Sequence, residues 1–427
     1  MSRVAVVGGG LAGMLAALRL CEAGHQVQLR EAGSAAGGMI AAADLAGTLV
    51  DAGAEAYAAR GGTGRALCDE LGIDVAGPSG VAHIWRPSGA SPMAEGVVGI
   101  PATLDDPALR ALSLEGRVAV ARDADLGPDA GADATTVGTL VRARLGDEAL
   151  ATLVEPVTRG VYATPADRLP LTAVAPGLTA ALRAQGSLLA AVAATRAEGP
   201  TVEQPVGGMF RLIAEIEHRV RAAGGDVRCA AAVTALARDG EDLVLTTTTG
   251  EVLRADRVVL ATPATVAARL LAQVGVEIVP PPVRSARFAI LAVSTPELAG
   301  DPVGSGVLVA DPAPGLCAKA LTHYSAKWPW ARAEGREILR LSYAADIDPS
   351  REQAVADASL LTGIAIDPAE VAEFASVEWA SMPARIDPTA RDSFLSDAAA
   401  VGVDLVGAWI DGNGIAPVIL GVGRVVR

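Results

Sequence analysis

The chain has 427 residues, 51% of them hydrophobic and 20% charged, with no long low-complexity tract; it is too long for one ordinary core, and two or three lobes are expected. A formal charge of −14 and an isoelectric point of about 4.8 argue against a nucleic-acid or anionic-membrane binder. Cys21, Cys68, Cys229 and Cys317 are scattered, and the four histidines are dispersed, so no metal site is expected; no 18-residue stretch is free of charge or Pro/Gly interruption, so no transmembrane segment is expected either.

The first element is the apolar run Val4-Ala5-Val6-Val7, which leads straight into Gly8-Gly9-Gly10-Leu11-Ala12-Gly13 and a helix through Leu20. Strand, glycine turn and helix start follow one another here. Glycine serves the tight turn, the close approach of backbone to a pyrophosphate, and the packing of helix on strand, while free N–H groups at the helix start hold phosphate charge. The helix is apolar on most of its surface and so reads as buried, with Cys21 as a small apolar residue inside it. A second strand, Gln26–Arg30, ends at Glu31, 18 residues after Gly13, where a carboxylate accepts hydrogen bonds from a ribose 2′-hydroxyl. The three features in register specify a dinucleotide site, and the acid argues against a 2′-phosphate. Only Ser2-Arg3 separates the initiating Met from this fold, so no secretory signal is expected and the reading is a cytoplasmic protein, with loose membrane-surface contact left open.

Further along, residues 80–101 read as a short hairpin leading to Gly99-Ile100-Pro101. Residues 105–200 are Ala/Leu-rich and helical, with Thr135-Thr136 opening one helix and Gly146-Asp147-Glu148 another. The acidic stretch from Asp123 to Asp133 reads as a solvated loop. Pro205-Val206-Gly207-Gly208 opens a helix to Arg221, and β structure returns through Asp226–Cys229, Ala232–Leu236 and a hairpin over 243–252, with Arg257–Pro263 closing this part. Residues 283–395 alternate strands and short helices. A last strand, Val403 to Trp409, precedes a helix carrying Ile415 and Ala416.

Between these elements lie Gly37-Gly38-Met39-Ile40 and Gly47-Thr48-Leu49-Val50-Asp51-Ala52-Gly53-Ala54-Glu55. Together with the glycine turn and Glu31 they resemble the extended fingerprint of the FAD-containing amine oxidase and protoporphyrinogen oxidase superfamily, with Met39 where that family usually carries Arg or Lys. Three further stretches are similar to porphyrinogen oxidases: Leu153-Val154-Glu155-Pro156-Val157-Thr158-Arg159-Gly160-Val161-Tyr162-Ala163, His323-Tyr324-Ser325-Ala326-Lys327-Trp328-Pro329, and Gly407-Ala408-Trp409-Ile410-Asp411-Gly412-Asn413-Gly414-Ile415. The resemblance spans nearly the whole chain and is nearest to the coproporphyrin-forming oxidases of Gram-positive bacteria. Departures are Arg159, Thr164, Asn413 and Ala416-Pro417-Val418.

The resemblance implies an α/β fold: a discontinuous Rossmann-type FAD-binding domain (1–78, 203–280 and 400–427), an α+β substrate domain (79–104 and 281–399) and a helical domain (105–202). It implies FAD contacts at Gly8, Gly10, Leu11, Ala12, Gly13, Glu31, Ala32, Gly37, Gly38, Met39, Gly53, Ala54, Val233 (through its backbone, to adenine), Ala261, Trp409, Gly412, Ile415 and Ala416. No catalytic side chain is implied, because the flavin N5 carries the chemistry and the protein supplies orientation, shape and charge. The implied reaction is oxidation of coproporphyrinogen III in three two-electron rounds, with O2 as acceptor and H2O2 released. A tetracarboxylate needs cations, which makes Arg159, with Tyr162 beside the macrocycle, a candidate substrate contact; Lys327 is a second, against a plainer reading as a structural ion pair. Protoporphyrinogen IX as substrate, an amine oxidase or desaturase on the same scaffold, and a non-catalytic binding protein like the Rab GDP-dissociation inhibitors stay open at this point, as does the oligomeric state. An aromatic content of 3% makes an amine-binding cage hard to build.

Overall fold

The structure, a computed structural model, describes every residue except 163, 197–198, 333–334, 384–385 and 427, with backbone alone for 381–383. Ala163 of the Glu155–Ala163 stretch therefore lies outside the described residues. In chain order the elements used below are β1 (Arg3–Val7), α1 (Leu11–Glu22), β2 (Gln26–Arg30), β3 (Ala42–Leu45), β4 (Thr48–Asp51), β5 (Ala82–Arg86), β6 (Gly89–Pro92), α2 (Val137–Ala149), α3 (Glu155–Tyr162), α4 (Phe210–Ala222), β7 (Asp226–Arg228), β8 (Arg257–Leu260), β9 (Val283–Val293), β10 (Gly306–Val309), β11 (Ala320–His323), β12 (Glu337–Tyr343), α5 (Arg351–Thr362), β13 (Val371–Pro383), β14 (Val403–Leu405) and α6 (Ile415–Val422). The chain divides into two units, one of residues 1–77, 200–287 and 377–427, the other of residues 78–199 and 288–376.

The first unit is built on a parallel five-stranded sheet in the order β7-β2-β1-β8-β14. Its strands are valine- and leucine-rich because both faces are covered, as parallel sheets require. Val4, Val6, Val27 and Leu29 turn to α1 and α4, whereas Ala5, Val7, Val258 and Leu260 pack on the antiparallel sheet over 233–255 and the helix Ala264–Ala272. This is a Rossmann-type α/β arrangement assembled from three separate stretches of chain. Helix α1 is buried along nearly its whole length and stops before Gly24, whose φ of +83° ends it.

The second unit holds a seven-stranded mixed sheet in the order β13-β9-β12-β11-β10-β5-β6 and, apart from it, a helical cluster. Leu339, Leu341 and Tyr343 of β12 pack with Ala354, Val355, Ala358 and Leu361 of α5. In the helical part, α2 opens with a reciprocal capping box between Thr136 and Thr139, and Gly146, at φ +88°, breaks the helix where a second start was expected. A π-helical turn over Leu150–Val154 then feeds α3. The turn over Val97–Ile100, which packs on this segment, is strained: Val98, a β-branched residue, sits at φ +56°, and a Cβ on Gly99 would lie 2.4 Å from the Leu153 carbonyl oxygen.

One expectation is corrected here. Asp123, read as part of a solvated acidic loop, is 1% exposed. Its carboxylate pairs with Arg144 Nε at 2.6 Å and accepts from Ser187 Oγ at 2.6 Å and the Leu189 amide at 3.0 Å; Arg144 also donates to the carbonyls of Asp123, Gly127, Ala130 and Gly186. Periodicity did not reveal the pair because its partners are 21 residues apart and lie in a stretch whose other acids are exposed.

Candidate active site

Three loops leave the C-terminal edge of the parallel sheet, where ligands of such sheets bind. The first, Gly8–Gly10, is forced close to its neighbours. Gly8 adopts φ +103°, and a Cβ there would lie 2.4 Å from the Ala261 carbonyl oxygen; a Cβ on Gly13 would lie 1.9 Å from the Gly8 carbonyl oxygen. Helix α1 therefore starts uncapped: Gly10 offers no side chain, and the first turn has no acidic residue. The amides that open the helix have no intrahelical acceptor, and the helix dipole adds positive potential at that end.

The second loop brings Gly37 and Gly38 onto the first. The Gly37 amide donates to the Gly9 carbonyl at 2.8 Å, Gly10 and Gly37 form an isolated parallel bridge, and a Cβ on Gly38 would stand 3.2 Å from the Gly10 Cα. Glu31, at the end of β2, is half-buried and accepts from the Gly9 amide at 2.5 Å and the Gly33 amide at 2.6 Å, so its carboxylate stands beside the glycine turn. Ala32 follows it, exposed. Met39 leaves its side chain 38% exposed, yet its carbonyl accepts from the Ala54 amide at 2.7 Å, and a Cβ on Gly53 would come within 2.0 Å of that oxygen. The tie between Met39 and Gly53-Ala54 is thus made by backbone and does not need the Arg or Lys usual at position 39.

The third loop belongs to the C-terminal stretch. Strand β14 ends at Leu405, and residues Ala408–Asp411 form a short helix, so the expected strand to Trp409 is shorter than read. Trp409 is 3% exposed within the cluster of β8, and its indole N–H donates to the Thr262 carbonyl at 3.1 Å. The ring is core, so only the backbone of Trp409 remains for a ligand. Gly412 and Gly414, at φ +115° and +111°, turn the chain into α6, which begins at Ile415 and carries half-buried Ala416. Leu11, Ala12, Ala54, Ala261 and Ile415, five of the expected cofactor positions, meet in one cluster with Ile40 and Ala408. Val233 opens the antiparallel sheet next to a register shift; it is buried, and its carbonyl accepts weakly from Arg269 at 3.4 Å.

Long-range supports escaped the sequence reading. Asp51, fully buried, accepts from Gln204 Nε2 at 2.6 Å and from the Phe210 amide at the start of α4, while Gln204 also holds the Glu55 carbonyl at 2.6 Å. Asp51 lies in a quoted motif, but its partner 153 residues away carries no local signal. Arg30, 1% exposed, pairs with Glu251 and Asp226 at 2.7 Å each beneath the end of β2. Hydrogen bonding to the Arg30 guanidinium holds the Glu251 carboxyl below its usual range. Asp411, its side chain 1% exposed, accepts from the Gly407 amide at 2.8 Å and pairs with Arg424 at 2.5 Å, fixing the third loop.

The expected substrate contacts all lie in the second unit. On α3, Arg159 is exposed and pairs with Glu155 at 2.6 Å, one helical turn earlier, and Tyr162 is 40% exposed. The other Glu155 oxygen accepts from the Ala166 amide at 2.9 Å, and the Thr164 hydroxyl donates to the Tyr162 carbonyl, tying off the helix end. Lys327 follows β11, its ammonium 5.4 Å from the centroid of the buried Trp328 ring and its carbonyl accepting from the Ser79 amide.

The residues present fit FAD. Two glycine loops leave no room for a Cβ, an uncapped helix start faces the carboxyl ends of the strands, and an acid stands at the end of β2. Among the described residues no group of His, Cys, Asp and Glu suits a metal ion, and no helix is long and apolar enough to cross a membrane.

Comparison with known proteins agrees with this geometry. Residues 11–295 match the flavin-containing amine oxidoreductase family. The chain is 32% identical to a Mycobacterium leprae protein named coproporphyrinogen III oxidase, covering 99% of this chain and 97% of that one. A Bacillus subtilis protein of the same name is 26% identical over 79% of this chain and 76% of its own. Among solved structures, a putative protoporphyrinogen oxidase from Exiguobacterium sp. 255-15 superposes with a TM-score of 0.79 at 23% identity, covering 99% of this chain and 97% of that one. A putrescine oxidase bound to putrescine gives 0.63 at 17%, covering 100% and 97%. At those identities the two structures show the shared fold.

Proposed function

The chain belongs to the flavin-containing amine oxidoreductase family, and from that membership we propose that it is an FAD-dependent oxidase converting coproporphyrinogen III to coproporphyrin III in heme biosynthesis. The observation that carries the substrate is the end-to-end match to proteins named coproporphyrinogen III oxidase, at 32% identity over 97% of the Mycobacterium leprae relative. Six hydrogens leave the porphyrinogen, and three O2 are reduced to three H2O2.

FAD, when bound, supplies the two-electron acceptor. The residues of this chain bind and orient. The amides of Leu11, Ala12 and Gly13 receive the pyrophosphate, Glu31 receives the ribose hydroxyls, and Gly37-Gly38 lets the second loop pass the cofactor. Gly53-Ala54, held by the Met39 carbonyl, and Gly412 to Ala416 line the flavin end. Arg159 takes a propionate of the substrate, with Glu155 holding its guanidinium in place, and Tyr162 packs against the macrocycle. No side chain is required to act as nucleophile or metal ligand. A cytoplasmic location belongs to the same proposal and is tested by cell fractionation.

The test is porphyrin fluorescence during aerobic incubation of the FAD-loaded protein with coproporphyrinogen III, against a no-enzyme control and a parallel run with protoporphyrinogen IX. A rapid rise with stoichiometric peroxide supports the reading. A rise only with protoporphyrinogen IX reassigns the substrate, and no rise above autoxidation from a yellow protein overturns the porphyrinogen reading.

A further inference from the structure

The seven-stranded sheet of the second unit has two unlike faces. Leu339 and Leu341 of β12, Leu321 of β11 and Val307 of β10 turn toward α5 and join its core cluster. Alternation along each strand sends their neighbours to the opposite face. There the pairing registers align Ala82, Gly306, Thr322 and Arg340 in one row across four strands, with Leu308, Ala320 and Ser342 in the row beside it. Between Leu308 and Arg340 every side chain in these rows is small. Thr322, Ala320 and Ser342 are only partly buried, so the strip is a shallow floor that solvent reaches.

The two sides of this floor differ. Over β10 stands α3: it packs on that strand, and a Cβ on Gly160 would lie 3.0 Å from Leu308 Cδ2, so glycine there allows the helix to settle. Arg86 of β5 donates to the Thr152 carbonyl at 2.7 Å and ties down the π-helical turn that leads into α3. Two strands from β10, about 10 Å away, Arg340 is 7% exposed with its guanidinium 4.0 Å from the centroid of the Phe288 ring on β9. Stacking on a ring fixes the plane of the guanidinium and hence the direction in which it meets a carboxylate. The other residues of that row, Ala82, Gly306 and Thr322, are neutral, and Arg340 is its charged side chain.

We propose that this strip is the bed for the tetrapyrrole and that Arg340 is a specificity-determining residue that receives one of its propionates, on the side away from Arg159. The assignment rests on the porphyrinogen reading above. A broad ring with short acidic arms needs a floor without protruding side chains and a cation at its edge, and this face offers the small-residue strip and Arg340. Bidentate geometry favours arginine over lysine at such a point.

The test uses the FAD-loaded enzyme and two readouts: quenching of coproporphyrin III fluorescence for product affinity, and KM against kcat for coproporphyrinogen III. Arg340→Gln is expected to raise Kd and KM about 10- to 100-fold, as loss of a charge-assisted contact does, with kcat changed little. Arg340→Lys should recover only part of this. The tetramethyl ester of coproporphyrin III, dispersed in mild detergent, should bind wild type and Arg340→Gln alike. Thr322→Leu, which raises the floor without touching charge, should also weaken binding, and it decides the matter if Arg340→Gln fails to fold or to retain flavin. Wild-type turnover together with unaltered coproporphyrin binding in both variants overturns the assignment alone. A wild-type protein that neither binds coproporphyrin nor oxidises its porphyrinogen overturns the substrate reading, and this assignment with it.

Discussion

Gly13→Ala tests the cofactor cradle through a single methyl group. A Cβ at this position would stand 1.9 Å from the Gly8 carbonyl oxygen and 3.1 Å from the Ala261 Cβ. Real Cβ contacts do not fall below 3.0 Å, so α1 and the glycine turn must separate by 3.0 − 1.9 = 1.1 Å. Neither partner has room to move. Gly8 is itself held against the Ala261 carbonyl, and every residue of α1 from Leu11 to Leu18 is buried. Overpacking of this kind costs about 1–3 kcal/mol, and a shift of about 1 Å at a positioned ligand lowers function about 100-fold. The variant is expected to be purified with little flavin, to have a correspondingly raised Kd for added FAD, and to melt a few degrees lower. Flavin absorbance after purification, titration of the apoprotein with FAD and a thermal melt measure all three. Gly300→Ala is the control, because a Cβ there meets nothing within 4 Å and the backbone is not at positive φ. A Gly13→Ala protein with full flavin occupancy and an unchanged melting temperature would refute the claim that this glycine is required by the packing of helix on turn.

Glu31→Ala removes the acceptor for the Gly9 and Gly33 amides and should weaken FAD binding by about 1–3 kcal/mol, with Glu31→Gln recovering part; an FAD titration measures both. Arg144→Met leaves Asp123 buried without its cation and should lower stability by about 3–5 kcal/mol in a denaturant melt, with the double variant Arg144→Met, Asp123→Leu recovering part of the loss. Glu251 has a folded-state pKa below its unfolded one because Arg30 stabilises the carboxylate, so its contribution is complete above the ordinary glutamate range and is lost as pH falls through the depressed value. Urea midpoints measured from neutral pH downward should therefore fall less steeply for Glu251→Gln than for wild type, and identical slopes would count against the pair. Arg159→Ala should raise KM for coproporphyrinogen III with kcat little changed, and steady-state kinetics decide it.

Local chemistry was legible in the chain wherever neighbours in sequence are neighbours in space. The strand–glycine–helix unit, Glu31 at the end of β2, the paired glycines and the Gly412 to Ile415 turn were readable because each is a short stretch whose backbone demands small residues or positive φ. They identified the dinucleotide-binding α/β unit, and the resemblance they carry extended that reading to family and substrate. What stayed hidden is long-range. Asp51 needs Gln204, Arg30 needs Glu251, and Asp123 needs Arg144; a charged or polar residue reads as solvated until its partner is placed beside it. Trp409 shows the same limit from the other side. Its motif pointed toward the cofactor, yet the indole is core because its N–H finds the Thr262 carbonyl 147 residues away. The row joining Ala82, Gly306, Thr322 and Arg340 exists only through strand register. Residue type alone thus determined the glycine loops, because close approach of backbones is a local steric demand. Tertiary structure decided which charges are buried and which faces are open, because desolvation depends on what the rest of the chain places around each group.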